Sequence, residues 1–281
     1  MSLDWLQANR FRNIHQTTLE LSPGLNLLLG ENGSGKTSLL ECCYFLSSAR
    51  SFRSSILDPV VQRGEEETLV LGRVRRENRI NRIGIARDRR GQRQIHINDE
   101  KALKASELAR LLPTLVLGPD SVDLLLGPPA QRRKFLNWGL FHVEPGFAAL
   151  WESANRCLRQ RNLLLREGSN DNRVKESWSR QLALISEDIH AARCRYLADF
   201  EPIFTTAVQQ LAGMDQVVFE YYRGWSRDRE LLEIYGQDRE SDEKRGFTQR
   251  GFHRADVRIT VEGQPAVRVC SRGSSRPLSG R

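Results

Sequence analysis

Residues 30–41 read Gly30-Glu31-Asn32-Gly33-Ser34-Gly35-Lys36-Thr37-Ser38-Leu39-Leu40-Glu41. The first eight positions satisfy Gly-x4-Gly-Lys-[Ser/Thr] in full, the pattern of a loop that holds phosphate. Each residue type has a physical reason to be there. Gly30, Gly33 and Gly35 let backbone N–H groups converge, because no Cβ blocks positive φ or the approach of phosphate oxygens. A helix opening near Lys36 aims its positive end at the same point. Lys36 supplies a point charge for the β and γ phosphates, and Thr37 offers a hydroxyl to Mg2+. The expected contacts therefore run through Gly30, Glu31, Asn32, Gly33, Ser34, Gly35, Lys36 and Thr37.

Working outward, Leu25–Leu29 is a short apolar run, as a buried strand before the loop would be. After the loop, Leu39, Leu40, Cys43, Tyr44 and Leu46 have the spacing of a helix packed on a sheet. Residues 3–9 and 16–21 read as a strand pair ahead of the loop. Residues 67–76, 79–87 and 93–98 alternate apolar and polar, which predicts an antiparallel meander with one solvated face. A short helix is expected over 104–111 and a strand over 113–117. Residues 131–210 are mostly helical, broken at Pro145-Gly146 and at 168–172. Strands return at 216–222 and 256–261. The stretch from Arg227 to Arg250 is charged and poor in apolar residues, so it reads as exposed and partly mobile.

The bulk numbers bound the rest. A chain of 281 residues with 39% hydrophobic and 28% charged content fits a soluble globular protein. No apolar stretch approaches the roughly 18 residues of a membrane span, and the start carries no apolar signal region, which points to the cytoplasm. Cys42, Cys43, Cys157, Cys194 and Cys270 are scattered, odd in number and without Cys-x2-Cys spacing; reduced, buried thiols are expected. The net charge of +8 rests on Arg, since only six Lys occur, and it favours polyanionic partners.

The loop alone leaves a kinase, a GTPase and a DNA-processing ATPase open. With Phe11-Arg12-Asn13 before it, the stretch resembles the ABC-type ATPase heads of the Rad50, SMC and RecF group. Arg12 and Asn13 are then candidates to touch the base or the α-phosphate, against an alternative in which they are ordinary turn residues. Residues 119–138, from Pro119-Asp120 through Gly127-Pro128-Pro129 to Arg132-Arg133-Lys134-Phe135-Leu136-Asn137-Trp138, are more specific and resemble the signature of the RecF family. Pro129 suits a helix start. Arg132 and Arg133 read as phosphate contacts or, the safer reading, as ion pairs with acids such as Asp120 and Asp123. Gly251-Phe252-His253-Arg254-Ala255-Asp256 resembles another family step, with Phe252 where Pro is expected, a change that should loosen the turn.

What the resemblance implies is an α/β fold: a P-loop ABC-type ATPase head, with a mixed sheet plus the antiparallel meander, carrying an inserted helical arm. The head would span 1–104, the arm 105–245, and 246–281 would return to the head. It implies ATP and Mg2+ as cofactors, an ATP-dependent homodimer, and binding to single-stranded and gapped duplex DNA. It also implies cooperation with RecR and RecO in loading a recombinase, and SOS induction. Val269-Cys270-Ser271-Arg272-Gly273 resembles the start of the ABC signature, so Ser271 of one copy would face the Lys36 loop of another. The chain then continues Ser274 to Arg281 with Pro277 and Gly280, poor residues for the helix expected there. The expectation is a truncated or frameshifted reading frame that leaves the C-terminal part of the head missing. No run of four apolar residues followed by Asp-Glu occurs, so no residue is assigned as catalytic and hydrolysis is expected to fail. The alternative from another class is a small-molecule or nucleotide kinase with a helical lid; the strand pair before the loop and the meander after it argue for the head.

Overall fold

The structure is a computed structural model that describes residues 1–53, 60–168, 171–214 and 216–269. By contacts the chain divides into two units, Met1–Gly118 and Pro119–Arg281.

The first unit is a six-stranded sheet carrying one long-packed helix. Strands β1 (Ser2–Phe11), β2 (Ile14–Glu20), β3 (Glu67–Arg76), β4 (Arg79–Asp88), β5 (Arg93–Ile97) and β6 (Glu100–Lys101) lie in the order β2-β1-β3-β4-β5-β6, antiparallel throughout. Period-two alternation puts Leu6 and Ala8, Val70 and Val74, Ile83 and Ile85, and Ile95 on one face. That face is covered by Cys42, Phe45 and Leu46 of helix α1 (Lys36–Ser48), and Leu108 of α2 (Ala105–Leu111) closes the same core.

The strand expected at Leu25–Leu29 is not formed, and neither is the one at 113–117. Leu25, Leu27 and Leu29 are 92%, 75% and 81% exposed. A strand is made by its ladder partners, and no described segment pairs with either run. Both described sheets are therefore antiparallel, with no parallel pairing of the kind a mixed sheet adds.

The second unit contains α3 (Asp123–Leu126), α4 (Pro129–Val143), α5 (Phe147–Arg166), the 41-residue α6 (Asn172–Ala212), β7 (Val217–Tyr222), α7 (Leu231–Gln237), α8 (Arg239–Arg245), β8 (Asp256–Val261), β9 (Gln264–Pro265) and α9 (Ala266–Val269). Asp171 caps α6, its carboxylate accepting from the N–H groups of Arg173 and Val174 at 3.0 and 3.1 Å. Helices α4 to α7 and the β7–β8 pair share one core around Leu140, Leu182, Ile189, Trp225 and Phe252.

Several expectations change here. The first unit runs past 104, because Leu108 and Leu112 are buried with α1. Residues 246–269 contribute Phe252 and Val257 to the helical core. The stretch from Arg227 to Arg250 is ordered: Leu231, Ile234 and Tyr235 are buried at helical spacing, and buried Asp242 accepts from Arg161 at 2.8 Å. Phe252 does not loosen its turn; it is 1% exposed and packs edge-on against Trp151, ring centroids 5.2 Å apart. Cys194 is exposed, unlike buried Cys42 and Cys157. No helix among the described residues is long and apolar enough to cross a membrane.

Candidate nucleotide site

The glycine loop opens directly into α1, whose N-cap is Gly35 at φ 97°. Gly33 sits at φ 83°. An L side chain is strained at both positions, which is why glycine holds them. No side chain caps the helix start, so its first N–H groups stay available to an anion.

The turn between β1 and β2 braces this loop from below. Asn13 donates its Nδ2–H to the Gly33 carbonyl at 3.0 Å, and its Oδ1 accepts from the Ser38 hydroxyl at 2.7 Å. One side chain thus ties the apex of the loop to the first turn of α1. Arg12, beside it at φ 55°, is turned toward the interior. Its guanidinium grips Glu41 of α1 with two prongs, Nε to Oε2 at 3.2 Å and Nη2 to Oε1 at 2.9 Å. The Glu41 side chain is fully buried and that of Arg12 is 14% exposed. The pair fixes the β1–β2 turn onto α1, and Arg12 still lines the cavity above the loop.

That cavity is open, about 710 Å3, and lined by Asn13, Lys36, Thr37, Arg53, Arg63 and Arg89 together with Arg12. The Lys36 ammonium donates to the Gly30 and Glu31 carbonyls, each at 2.7 Å, so it is held across the mouth of the loop. Arg89 is anchored by donating to the Glu65 carbonyl. Arg53 lies 3.9 Å from Glu41. The result is a concave surface with five cationic side chains and one loop of converging N–H groups, a fit to a polyphosphate. For Mg2+ the residues present offer Thr37; no cluster of three or more His, Cys, Asp or Glu suited to a metal occurs among the described residues. Nothing in the local sequence marks Arg63 and Arg89, or Arg53, as residues of this cavity. Arg63 and Arg89 come from the segment around the start of β3 and the β4–β5 turn.

The second motif is structural in this chain. Arg132 pairs with Asp256, Nε to Oδ1 at 2.8 Å and Nη2 to Oδ2 at 3.1 Å, and also donates to the Gly127 carbonyl at 2.8 Å. Arg133 donates to the Ala255 carbonyl at 2.9 Å, and burial holds its pKa below the usual guanidinium value, with nearby Asp256 opposing the shift. Asn137 accepts from buried Arg193 at 2.9 Å. Ion pairing was thus the right chemistry for Arg132, but its acid is Asp256, not Asp123; the side chain of Asp120 lies outside the described residues. Ser271 and the rest of the 270–273 stretch also lie outside them.

Known proteins resemble the chain in both sequence and structure. A family model described as the RecF/RecN/SMC N terminal domain matches residues 2–279. The DNA replication and repair protein RecF of Pseudomonas aeruginosa (strain LESB58) is 43% identical over 277 residues, covering 98% of this chain and 75% of that protein. The protein of the same name from Stutzerimonas stutzeri (strain A1501) is 42% identical over the same shares. Two solved structures of the recombination mediator protein RecF in the RecFOR pathway are each 25% identical. The one described as RecF-ATP has a TM-score of 0.88 over 96% of this chain and 76% of that one. The one described as RecF-ATPrS has a TM-score of 0.84 over 97% and 76%.

Proposed function

The chain belongs to the RecF family of ABC-type ATPase heads, and from that premise we propose that it is an ATP-binding protein of DNA replication, repair and recombination. The observation that carries the reading is the Gly30–Thr37 loop, braced by Asn13 and facing a cavity lined by Arg12, Lys36, Arg53, Arg63 and Arg89. The loop and Lys36 would hold the phosphates of ATP, and Thr37 would offer its hydroxyl to Mg2+, which would supply charge neutralisation there. Asn13 positions the loop, and Arg12 stands at the base or α-phosphate while holding Glu41.

The wider role follows the relatives. The protein acts in the cytoplasm on single-stranded and gapped duplex DNA with RecO and RecR, promoting recombinase loading and SOS induction. Two copies close around ATP, with Ser271 of one copy facing the Lys36 loop of the other. Nucleotide then works as a switch on the dimer, and the helical unit serves as the arm over DNA. The matches to RecF leave the kinase alternative without support. For the polypeptide of residues 1–281 taken by itself, the proposal is ATP binding without steady turnover.

Phosphate release by residues 1–281, measured with and without gapped DNA, tests the reading. The expected rate is no higher than that of Lys36→Ala. DNA-stimulated release that Lys36→Ala abolishes would overturn the hydrolysis-deficient part. Phosphoryl transfer to a small acceptor would overturn the family role altogether.

A further inference from the structure

The outer face of the first sheet breaks a rule of strand pairing. Positions 68, 70, 72 and 74 of β3 are buried, so Leu69, Leu71, Arg73 and Arg75 point the other way. The register sets Trp5, Arg73 and Arg82 in one row across β1, β3 and β4. Like charges directly opposite each other destabilise a sheet. The fold relieves this pair only in part, with the Asp4 carboxylate within electrostatic reach of Arg73. Arg73 lies over the Trp5 ring, 5.1 Å from its centroid, and enters no ion pair among the described residues. Arg82 has Asp99 at 3.6 Å, but both side chains are largely exposed and such a pair contributes little in water.

The rows next to this charge are of another kind. Leu71 faces Gly84, and Leu69 faces Ala86, forming a half-buried apolar floor with exposed His96 at its side. Gly84 leaves a dent there, since an added Cβ would come within 3.2 Å of the Leu71 methyl. An open cavity of about 500 Å3 lies over this floor. Segment 67–101 carries ten basic and five acidic residues, so its net +5 makes up most of the chain's +8.

We propose that this face is a platform for single-stranded DNA. Unpaired bases lie on the Leu69, Leu71 and Gly84 floor beside Trp5 and His96, and their phosphates take Arg73 and Arg82. The proposal rests on the DNA-repair reading above and names the surface that reading lacks. An anion between the two guanidiniums removes the repulsion the sheet otherwise carries. A duplex presents phosphates and sugars with its bases stacked inside, and has no use for an apolar floor; a single strand does.

The test uses residues 1–281 and a fluorescein-labelled oligothymidine followed by anisotropy. Arg73→Gln/Arg82→Gln is expected to weaken single-strand binding at least tenfold. It should flatten the slope of log affinity against log salt by about 1.4, for two lost phosphate contacts at about 0.7 each. Duplex affinity and binding of a fluorescent ATP analogue should stay within twofold. Gly84→Val, which fills the dent without altering charge, should also weaken single-strand binding. Independently of any variant, photocrosslinking of the wild-type chain to 5-iododeoxyuridine oligomers should give adducts at Trp5 or His96. Unchanged single-strand affinity in the double variant, an equal loss for duplex, or adducts only outside β1, β3, β4 and β5 overturns the platform. Should a variant also lose the ATP analogue through misfolding, the crosslink map decides. A wild-type chain that binds no DNA at all fails the DNA-repair reading itself, and the platform with it.

Discussion

Arg132 at the start of α4 and Asp256 at the start of β8 stand 124 positions apart and meet in a two-pronged ion pair, at 2.8 and 3.1 Å. The side chains are 14% and 15% exposed. Two of the most family-specific stretches of the sequence are therefore halves of one clamp, and their Arg is committed to the fold.

That commitment predicts a stability phenotype. Asp256→Asn keeps the shape but leaves the Arg132 charge without its counter-ion, and breaking a mostly buried pair costs about 3 kcal/mol. Urea unfolding should show the loss, and a double-mutant cycle with Arg132→Met should show strong coupling. DNA affinity of the folded protein should not move. A variant that unfolds like wild type but binds DNA more weakly would make Arg132 a phosphate contact.

Arg12 and Glu41 separate structure from binding. Arg12→Ala abandons a fully buried carboxylate and should destabilise by about 3 kcal/mol. Adding Glu41→Leu should restore most of the stability. Nucleotide affinity should remain low in both, because Arg12 also lines the cavity. Recovery of affinity along with stability would show that Arg12 acts only through the fold.

His253 makes stability depend on pH. Burial lowers its pKa to about 4, opposed by the hydrogen bond its Nε2–H gives to the Thr248 carbonyl at 3.0 Å. Nearby Arg254, Arg133 and Arg161 push the same way as burial. The folded state keeps the ring neutral, whereas the unfolded chain takes up a proton below about 6.5. The stability is intact above that value and falls as pH drops toward 4, by about 2 kcal/mol between pH 7 and 5. His142 and His190, also lowered by burial, add in the same direction. His253→Gln can keep the bond to Thr248 and should flatten the pH dependence of the unfolding midpoint. An unchanged pH profile would place the titration elsewhere.

Exposure of Leu25, Leu27 and Leu29 has a simple signature. The wild-type chain should enhance the fluorescence of an apolar dye, and Leu27→Ser should reduce it with no loss of unfolding free energy. A drop of more than about 1 kcal/mol would mean that the run is buried in solution.

The same residues mark what was legible in the sequence. The meander was, because β3 to β5 announce themselves through a two-residue period fixed locally by Val70, Val74, Ile83, Ile85 and Ile95. So was the loop, whose glycines answer a backbone need at their own positions. Leu25–Leu29 carried the composition of a buried strand, but burial needs a partner strand, and five leucine-rich positions cannot say whether one is present. The order of the 227–250 stretch is not legible locally, because it comes from few apolar residues and from Asp242 meeting Arg161, 81 positions away. Arg63 and Arg89 reach the cavity from turns flanking β3 and β4, and Asp256 finds Arg132 where α4 packs against β8. Neither relationship is written in local pattern.

The proposed role of Gly30–Thr37 is to hold ATP. Titration of a fluorescent ATP analogue into wild-type, Asn13→Ala and Lys36→Ala proteins with Mg2+ present tests it most directly. The expected result is saturable binding by wild type, a severalfold loss for Asn13→Ala, whose bonds only position the loop, and at least a tenfold loss for Lys36→Ala. Equal affinity of wild type and Lys36→Ala, with both proteins folded, would contradict it.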